Sequence, residues 1–280
     1  MEQASGNVDL MSLLPSSSIA SKIHQNDLSG AAFMAIHERD IVALNVLCSY
    51  LVEDHSVCSS ETNDAELIRP ISEKNNVDQI DDLGNTLLHY AAENGLLDII
   101  RILLAKAKLI NEQNNNGDTP LMLALGNDRA EVAKALLKRV ENVDQKNIYG
   151  NTPLHLAAEK GWLDIVEILL TKTELINEQN KNEVTPLMLA ICYGHVEVAK
   201  VLLEQVIDVD TKNADGNTPL HLAAEKGWLD IVKTLLTKTE LINEPNNHGN
   251  TALKLAEGSA HVKVANLISR NISKRKFSRI

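Results

Sequence analysis

Three histidines stand where regular spacing invites a chemical reading: His89, His155 and His221, each 66 residues from the next. Imidazole is the commonest metal ligand and a general base at neutral pH. A metal site, however, needs ligands converging at bond lengths of about 2 Å. Successive histidines here fall two structural layers apart, roughly 20 Å at helix-packing distances of 8–10 Å. Between them the same position holds Met122 and Met188, and later Lys254. The cysteines Cys48, Cys58 and Cys192 are odd in number and show no zinc spacing. No nucleophile, base and orienter fall into a set, and no Gly-rich phosphate loop follows a strand. The histidines are therefore expected to be structural, and the chain to be non-enzymatic, with no cofactor and no metal.

The histidines belong to a repeat. Gly150–Asn180 reads GNTPLHLAAEKGWLDIVEILLTKTELINEQN, and Gly216–Asn246 differs from it at three of thirty-one positions. Those changes are Glu167 to Lys233, Ile168 to Thr234 and Gln179 to Pro245. Gly84–Asn114 matches the same stretch at twenty-two of thirty-one positions. A related unit lies between the copies, so the leading Thr recurs every 33 residues, at 86, 119, 152, 185, 218 and 251. A fixed period of this length is the mark of stacked repeats with neighbour-only contacts.

Each unit can be read residue by residue. Thr152 is a helix N-cap, and Pro153 suits the first helical position, where its missing N–H costs nothing. Leu154, Ala157 and Ala158 lie on one side, the alanines allowing close approach of the next unit. Gly161 supplies the left-handed residue that ends the first helix. Ile165, Ile168 and Leu169 form the apolar stripe of a second helix, and Leu175 and Ile176 bring the chain back to the stack. Glu183 stands where the hairpin Gly belongs, which predicts an altered hairpin tip. Asp128 and Ala260 replace the Gly between helices.

The string Asn147-Ile-Tyr-Gly150-Asn-Thr152-Pro-Leu-His155-Leu-Ala-Ala158, followed by Gly161 and a second helix ending Leu169-Leu170, resembles the ankyrin repeat. The resemblance covers residues 81 to about 270. It implies an all-α solenoid of helix-turn-helix units with short β-hairpin turns. It also implies that the histidines bond neighbouring backbone and Thr hydroxyls. Closely duplicated units are similar to ankyrin proteins of intracellular bacteria.

The expected organisation is a mobile segment 1–27, a worn capping repeat 28–52, a polar insert 53–80, the array 81–270 and a basic tail 271–280. The last repeat, with a short second helix over 261–269, is the C-terminal cap. Trp162 and Trp228 follow the inter-helix Gly; a ring packed on the neighbouring repeat and an interface anchor are both open readings.

Charge constrains the partner. The chain carries −11 net at neutral pH, yet Arg270–Ile280 holds five bases and no acid. An acidic body repels phosphate, which argues against nucleic acid on the array. No apolar run reaches spanning length, and the N-terminus lacks a basic n-region. Unpaired cysteines predict a reducing, cytoplasmic setting. For the tail, nuclear import, an acidic-surface contact, a membrane-surface contact and a plain solvated end are the alternatives. An F-box-like reading of Leu14-Pro15 onward is the other end-segment possibility.

Repeat arrays bind through a concave face of variable positions. In the resembling family these are the hairpin tips and the exposed ends of first helices. Carried over, they are Ile148, Tyr149, Asn151, Glu159 and Lys160, then Lys181, Asn182, Cys192 and Tyr193, then Asp215, Asn217, Glu225 and Lys226. Exposed aromatics are the usual anchors of such faces. The expected function is a monomeric scaffold that binds a protein, with a basic partner segment favoured by charge. The alternative is a targeting adaptor or host-directed effector, delivered into a host cell, in which an end segment recruits machinery.

Overall fold

The computed structural model of the chain describes residues 30–32, 35, 77–105 and 107–277. The segment expected at 1–27 and nearly all of the insert expected at 53–80 lie outside the described residues. Of the segment expected as a worn repeat, residues 30–32 and 35 are helical, and Ala31, Ala32 and Ala35 are fully buried. The chain divides into two compact units, residues 1–140 and 141–280.

In the first unit, α1 (Leu87–Asn94) and α2 (Leu97–Leu104) form one helix pair, and α3 (Pro120–Gly126) and α4 (Ala130–Leu137) the next. The second unit holds four pairs: α5 (Pro153–Lys160) with α6 (Leu163–Leu170), α7 (Pro186–Tyr193) with α8 (Val196–Gln205), α9 (Pro219–Lys226) with α10 (Leu229–Lys238), and α11 (Ala252–Gly258) with α12 (Val262–Phe277). The fold is all-α, and no strand occurs among the described residues. The expected hairpins are turns, because each spans too few residues for a ladder. At the first of the second unit, Gly150 donates to the Asn147 carbonyl at 2.8 Å and Asn147 to the Asn151 carbonyl at 3.1 Å.

Each first helix starts on a threonine in extended conformation. The Thr152 hydroxyl accepts from the His155 N–H at 3.4 Å, and the Thr185 hydroxyl from Met188 N–H at 3.3 Å. An N-cap of this kind contributes about 1 kcal/mol. The first helices bury Leu154, Ala157 and Ala158 and their equivalents, except in α11, where Leu253 is half-buried and Glu257 exposed. Each second helix buries one stripe, in α6 Ile165, Val166 and Leu169. Ile168, expected in that stripe, is instead 37% exposed. Ile165, Leu169 and Val166 centre the buried stripe about 50° past Ile165, and Ile168, about 60° to the other side of Ile165, falls roughly 110° from that centre at the outer edge.

The junctions between repeats alternate. Where a His repeat meets the following repeat, the hairpins are bonded backbone to backbone: Asn115 N–H to the Leu83 carbonyl, Lys181 to Tyr149 and Asn247 to Asp215, all at 2.9 Å. Side-chain amides lie alongside, with Asn114 donating to Asn85 at 2.9 Å, and Asn180 to Asn151 and Asn246 to Asn217 at 2.8 Å. Within the second unit, the junction from the 185 repeat to the 218 repeat is built differently. No backbone bond joins those two hairpins among the described residues. Asn177 instead donates to the Asp208 carbonyl at 3.0 Å, and Gln179 to the Lys212 carbonyl at 2.9 Å. The 66-residue period is thus a period of junction types.

Departures from the repeat pattern find their reasons here. Thr173 and Thr239 are buried and donate to Asp144 and Asp210, each on the loop one repeat earlier. The helix expected to end near 269 runs to Phe277, taking in much of the expected tail. Arg275 explains the extension: its guanidinium donates to the Thr239 carbonyl at 2.9 Å and the Leu236 carbonyl at 3.0 Å. Those carbonyls end α10, where helix geometry leaves acceptors unmet and the dipole favours a cation. Lys238 does the same for α8, donating to Leu203 and Val206.

Glu183 does not alter its hairpin, contrary to expectation. It takes the left-handed conformation of the Gly it replaces, with φ of 58°, and donates to the Asn180 carbonyl at 2.9 Å. Asp128 and Ala260 likewise have φ of 61° and 59°. A Cβ at Gly150 would lie 2.9 Å from the Lys181 nitrogen, so the bonded hairpin demands glycine. The 183 hairpin is free of such a neighbour and tolerates a side chain at the cost of backbone strain. Replacing Glu183 by Gly should raise stability by about 1 kcal/mol, since left-handed strain of about 1–2 kcal/mol is relieved. Gly150→Ala should lower it by at least about 1 kcal/mol, combining strain with overlap. Urea titration of both variants checks this, and a loss in both would contradict it.

Candidate protein-binding face

Turn chemistry sets the tips. The Asn147 carboxamide oxygen accepts from Tyr149 N–H at 3.1 Å and Asn151 N–H at 3.0 Å. Asn180 holds Asn182 and Val184 in the same way, and Asn213 holds Asp215 and Asn217. With the backbone folded inward onto the Asn side chain, the two tip residues face solvent. Ile148 is 44% and Tyr149 63% exposed. Lys181, Asn182 and Asp215 are exposed on the next tips.

Helix ends set the second row. Gly161, Gly194 and Gly227 end α5, α7 and α9 in left-handed conformation. The last helical residues are therefore Glu159–Lys160, Cys192–Tyr193 and Glu225–Lys226. Glu159 lies beside Tyr193, its charge raising the phenol above its ordinary pKa, with burial adding to the shift. Partial covering of the Cys192 thiol pushes its pKa up, and Lys226 and Glu225 of the next repeat are near enough to act on it. Glu159 and Tyr193 are thus neighbours, and Cys192 lies within electrostatic reach of Lys226 and Glu225, at the first-helix ends of three successive repeats; Tyr193 is 58% exposed.

Of the residues expected on the face, Ile148, Tyr149, Lys181, Asn182, Cys192, Tyr193, Asp215, Glu225 and Lys226 are exposed, and Glu159 and Lys160 are half-buried. Asn151 and Asn217 are half-buried and already engaged, each accepting from the amide of the following hairpin. His195, not singled out from the sequence, also supports the face. Its Nε2 donates to the Glu159 carbonyl at 2.8 Å, tying the α5 end to the start of α8. Its position directly after the inter-helix Gly194 was the available signal. Both tryptophans, Trp162 and Trp228, are half-buried.

The histidines are structural, as their spacing implied. Thr152 N–H donates to His155 Nδ1 at 3.2 Å, so Nδ1 carries no proton and Nε2 does. Nε2–H then donates to the Val184 carbonyl of the next repeat at 3.1 Å. His89 reaches the Asp118 carbonyl at 3.1 Å in the same way, and His221 the Glu244 carbonyl at 3.0 Å, six residues before the position equivalent to Val184. Burial lowers the pKa of His89 and of His155 to about 4, and lowers that of His221. Among the described residues no group of His, Cys, Asp and Glu could hold a metal ion, and no helix is long and apolar enough to cross a membrane.

Comparison with known proteins agrees with this geometry. The family described as Ankyrin repeats (3 copies) matches residues 55–147, 136–213 and 205–277, so the chain belongs to the ankyrin-repeat family. An ankyrin repeat domain from Acinetobacter baumannii AYE, known from its crystal structure, is similar at 26% identity and a TM-score of 0.60. That similarity covers 66% of this chain and 96% of the other. No curated protein matches.

Neutral buried histidines make stability depend on pH. Their folded pKa lies below the unfolded value near 6.5, so the unfolded chain binds more protons as pH falls. The contribution of His89 and His155 is full above about pH 6.5 and is lost as pH falls toward 4, and that of His221 falls in the same direction. Each histidine adds a slope of up to about 1.4 kcal/mol per pH unit. His155→Met, the residue type that the 119 and 185 repeats hold, should flatten the fall between about pH 6.5 and 4.5. Melts across that range check it; an unchanged slope would contradict neutral burial.

Proposed function

We propose that the chain is a non-enzymatic scaffold that binds a partner protein through the tips and first-helix ends of residues 148–226. Ankyrin repeats are in general protein-interaction modules. One observation carries the reading for this chain: Tyr193 is 58% exposed beside Glu159 of the preceding repeat, and Cys192 next to it lies within electrostatic reach of Glu225 and Lys226 of the following one. Such a face lies on the concave side of repeat arrays. The scaffold acts as a monomer in the cytoplasm.

The partner's chemistry follows from charge and shape. Glu159, Glu183, Asp215 and Glu225 intermix with Lys160, Lys181 and Lys226, so the face itself is close to balanced. Residues 141–280 carry eighteen acids and sixteen bases, whereas residues 1–140 carry twenty and eleven. The chain's overall −11 steers a basic partner at long range. Grip comes from Ile148, Tyr149 and Tyr193.

Tyr149→Ala and Tyr193→Ala should each cost about 2 kcal/mol of binding, roughly thirtyfold in Kd. Asn217→Ala should leave binding nearly unchanged, because its carboxamide is spent on Asn246, and Lys181→Ala should matter little. The partner is first captured with the full chain, and the four variants are then titrated against it, with melts alongside. Full affinity in both Tyr variants would remove the site from this face.

A further inference from the structure

The terminal helix α12 reverses a charge that the other second helices hold. At its second residue the five preceding second helices carry an acid: Asp98, Glu131, Asp164, Glu197 and Asp230. The equivalent in α12 is Lys263. An acid there suits the positive end of the helix dipole, and a lysine opposes it. Four of those acids also pair with a base three residues on: Asp98 with Arg101, Glu131 with Lys134, Glu197 with Lys200 and Asp230 with Lys233. α12 contains five bases and no acid.

The bases of α12 are sorted by face. Val264, Ala265 and Ile268 are buried, and Arg275 extends that row to the α10 carbonyls. Lys263, Arg270 and Lys274 are exposed. At about 100° per residue the three fall within about 40° of one another, and at 1.5 Å rise they line up over about 16 Å. Val262, 66% exposed, opens the helix about 100° to one side of that stripe. None of the three cations enters an ion pair with a described residue.

We propose that this face of α12 is a docking site for an acidic protein segment, separate from the tyrosine-centred face. The stripe is one residue wide and three charges long, which fits a helix or strand presenting carboxylates on one side. A bilayer or a nucleic-acid duplex is a poorer match. The rest of the chain, apart from α12 and Arg279, carries −17, and that field repels a broad anionic surface more than a narrow segment lying along the stripe.

The test uses the full chain and a fluorescein-labelled polyglutamate peptide of about fifteen residues, followed by anisotropy at low and at about 0.3 M salt. Phosphatidylserine vesicles and a DNA duplex are the comparison ligands. The variants are Lys263→Glu/Arg270→Glu/Lys274→Glu and, as a control on paired surface bases, Lys200→Glu/Lys233→Glu. The proposal requires peptide binding that weakens with salt, falls at least about tenfold in the triple variant and holds in the control. Vesicles and duplex should bind more weakly than the peptide. Absence of peptide binding to the native chain, equal loss in both variants, or tighter binding of vesicles or duplex would overturn it. If the triple variant melts early, Arg270→Glu alone, in the exposed middle of the helix, should still lose about threefold, and no loss would overturn the proposal.

Discussion

A buried imidazole that must stay neutral is the constraint on which this architecture turns. In the His repeats one histidine performs three tasks, two with its ring and one with its backbone N–H. His155 Nδ1 accepts from the Thr152 N–H, fixing the start of α5. Its own N–H meets the Thr152 hydroxyl, completing the capping box. Its Nε2–H then crosses to the Val184 carbonyl. Helix initiation and inter-repeat bonding thus share one side chain, and a proton added to Nδ1 would abolish the Thr152 N–H bond while leaving Nε2–H on the Val184 carbonyl. Burial keeps that proton off by penalising the charged form.

The alternation of junctions gives the near-identical 66-residue copies a physical sense. Where a His repeat is followed by a Met or Lys repeat, backbone bonds, asparagine pairs and the imidazole act together. At the junction from the 185 repeat to the 218 repeat, Met188 offers no polar group, and Asn177 and Gln179 supply the bonds instead. Duplicating a pair of repeats preserves both junction types; duplicating a single repeat would place unlike surfaces against each other. The surface tolerance follows the same division. Gly150 has no room for a Cβ, whereas Glu183 holds the same backbone shape with a full side chain.

Much of the fold was legible because its determinants are local. Thr152, Pro153, Gly161 and the paired leucines specify caps and stripes within one unit, and the period places the units. Several features were not legible, because they depend on what faces a residue from another unit. Glu183 read as a broken hairpin, since the sequence does not say whether a neighbour crowds that tip. Ile168 read as core, since helical spacing alone leaves the edge of a stripe ambiguous. The helix end near 269 was misplaced because Arg275 looked like a tail charge, and its acceptors, the Leu236 and Thr239 carbonyls, lie more than thirty residues earlier. On the candidate face, Tyr149 and Tyr193 were visible as large side chains among small ones. The prior engagement of Asn151 and Asn217 was not, because their partners lie on the following hairpin.

The most direct test of the central constraint is the protonation state of the imidazoles themselves. Long-range proton–nitrogen correlation spectra of the uniformly labelled chain, recorded while pH is lowered through 6.5, report the tautomer and titration of each ring. His89, His155 and His221 should appear as neutral Nε2–H rings and remain so well below pH 6, until the fold is lost. Titration of these three rings near their ordinary pKa in a chain that stays folded would contradict the account.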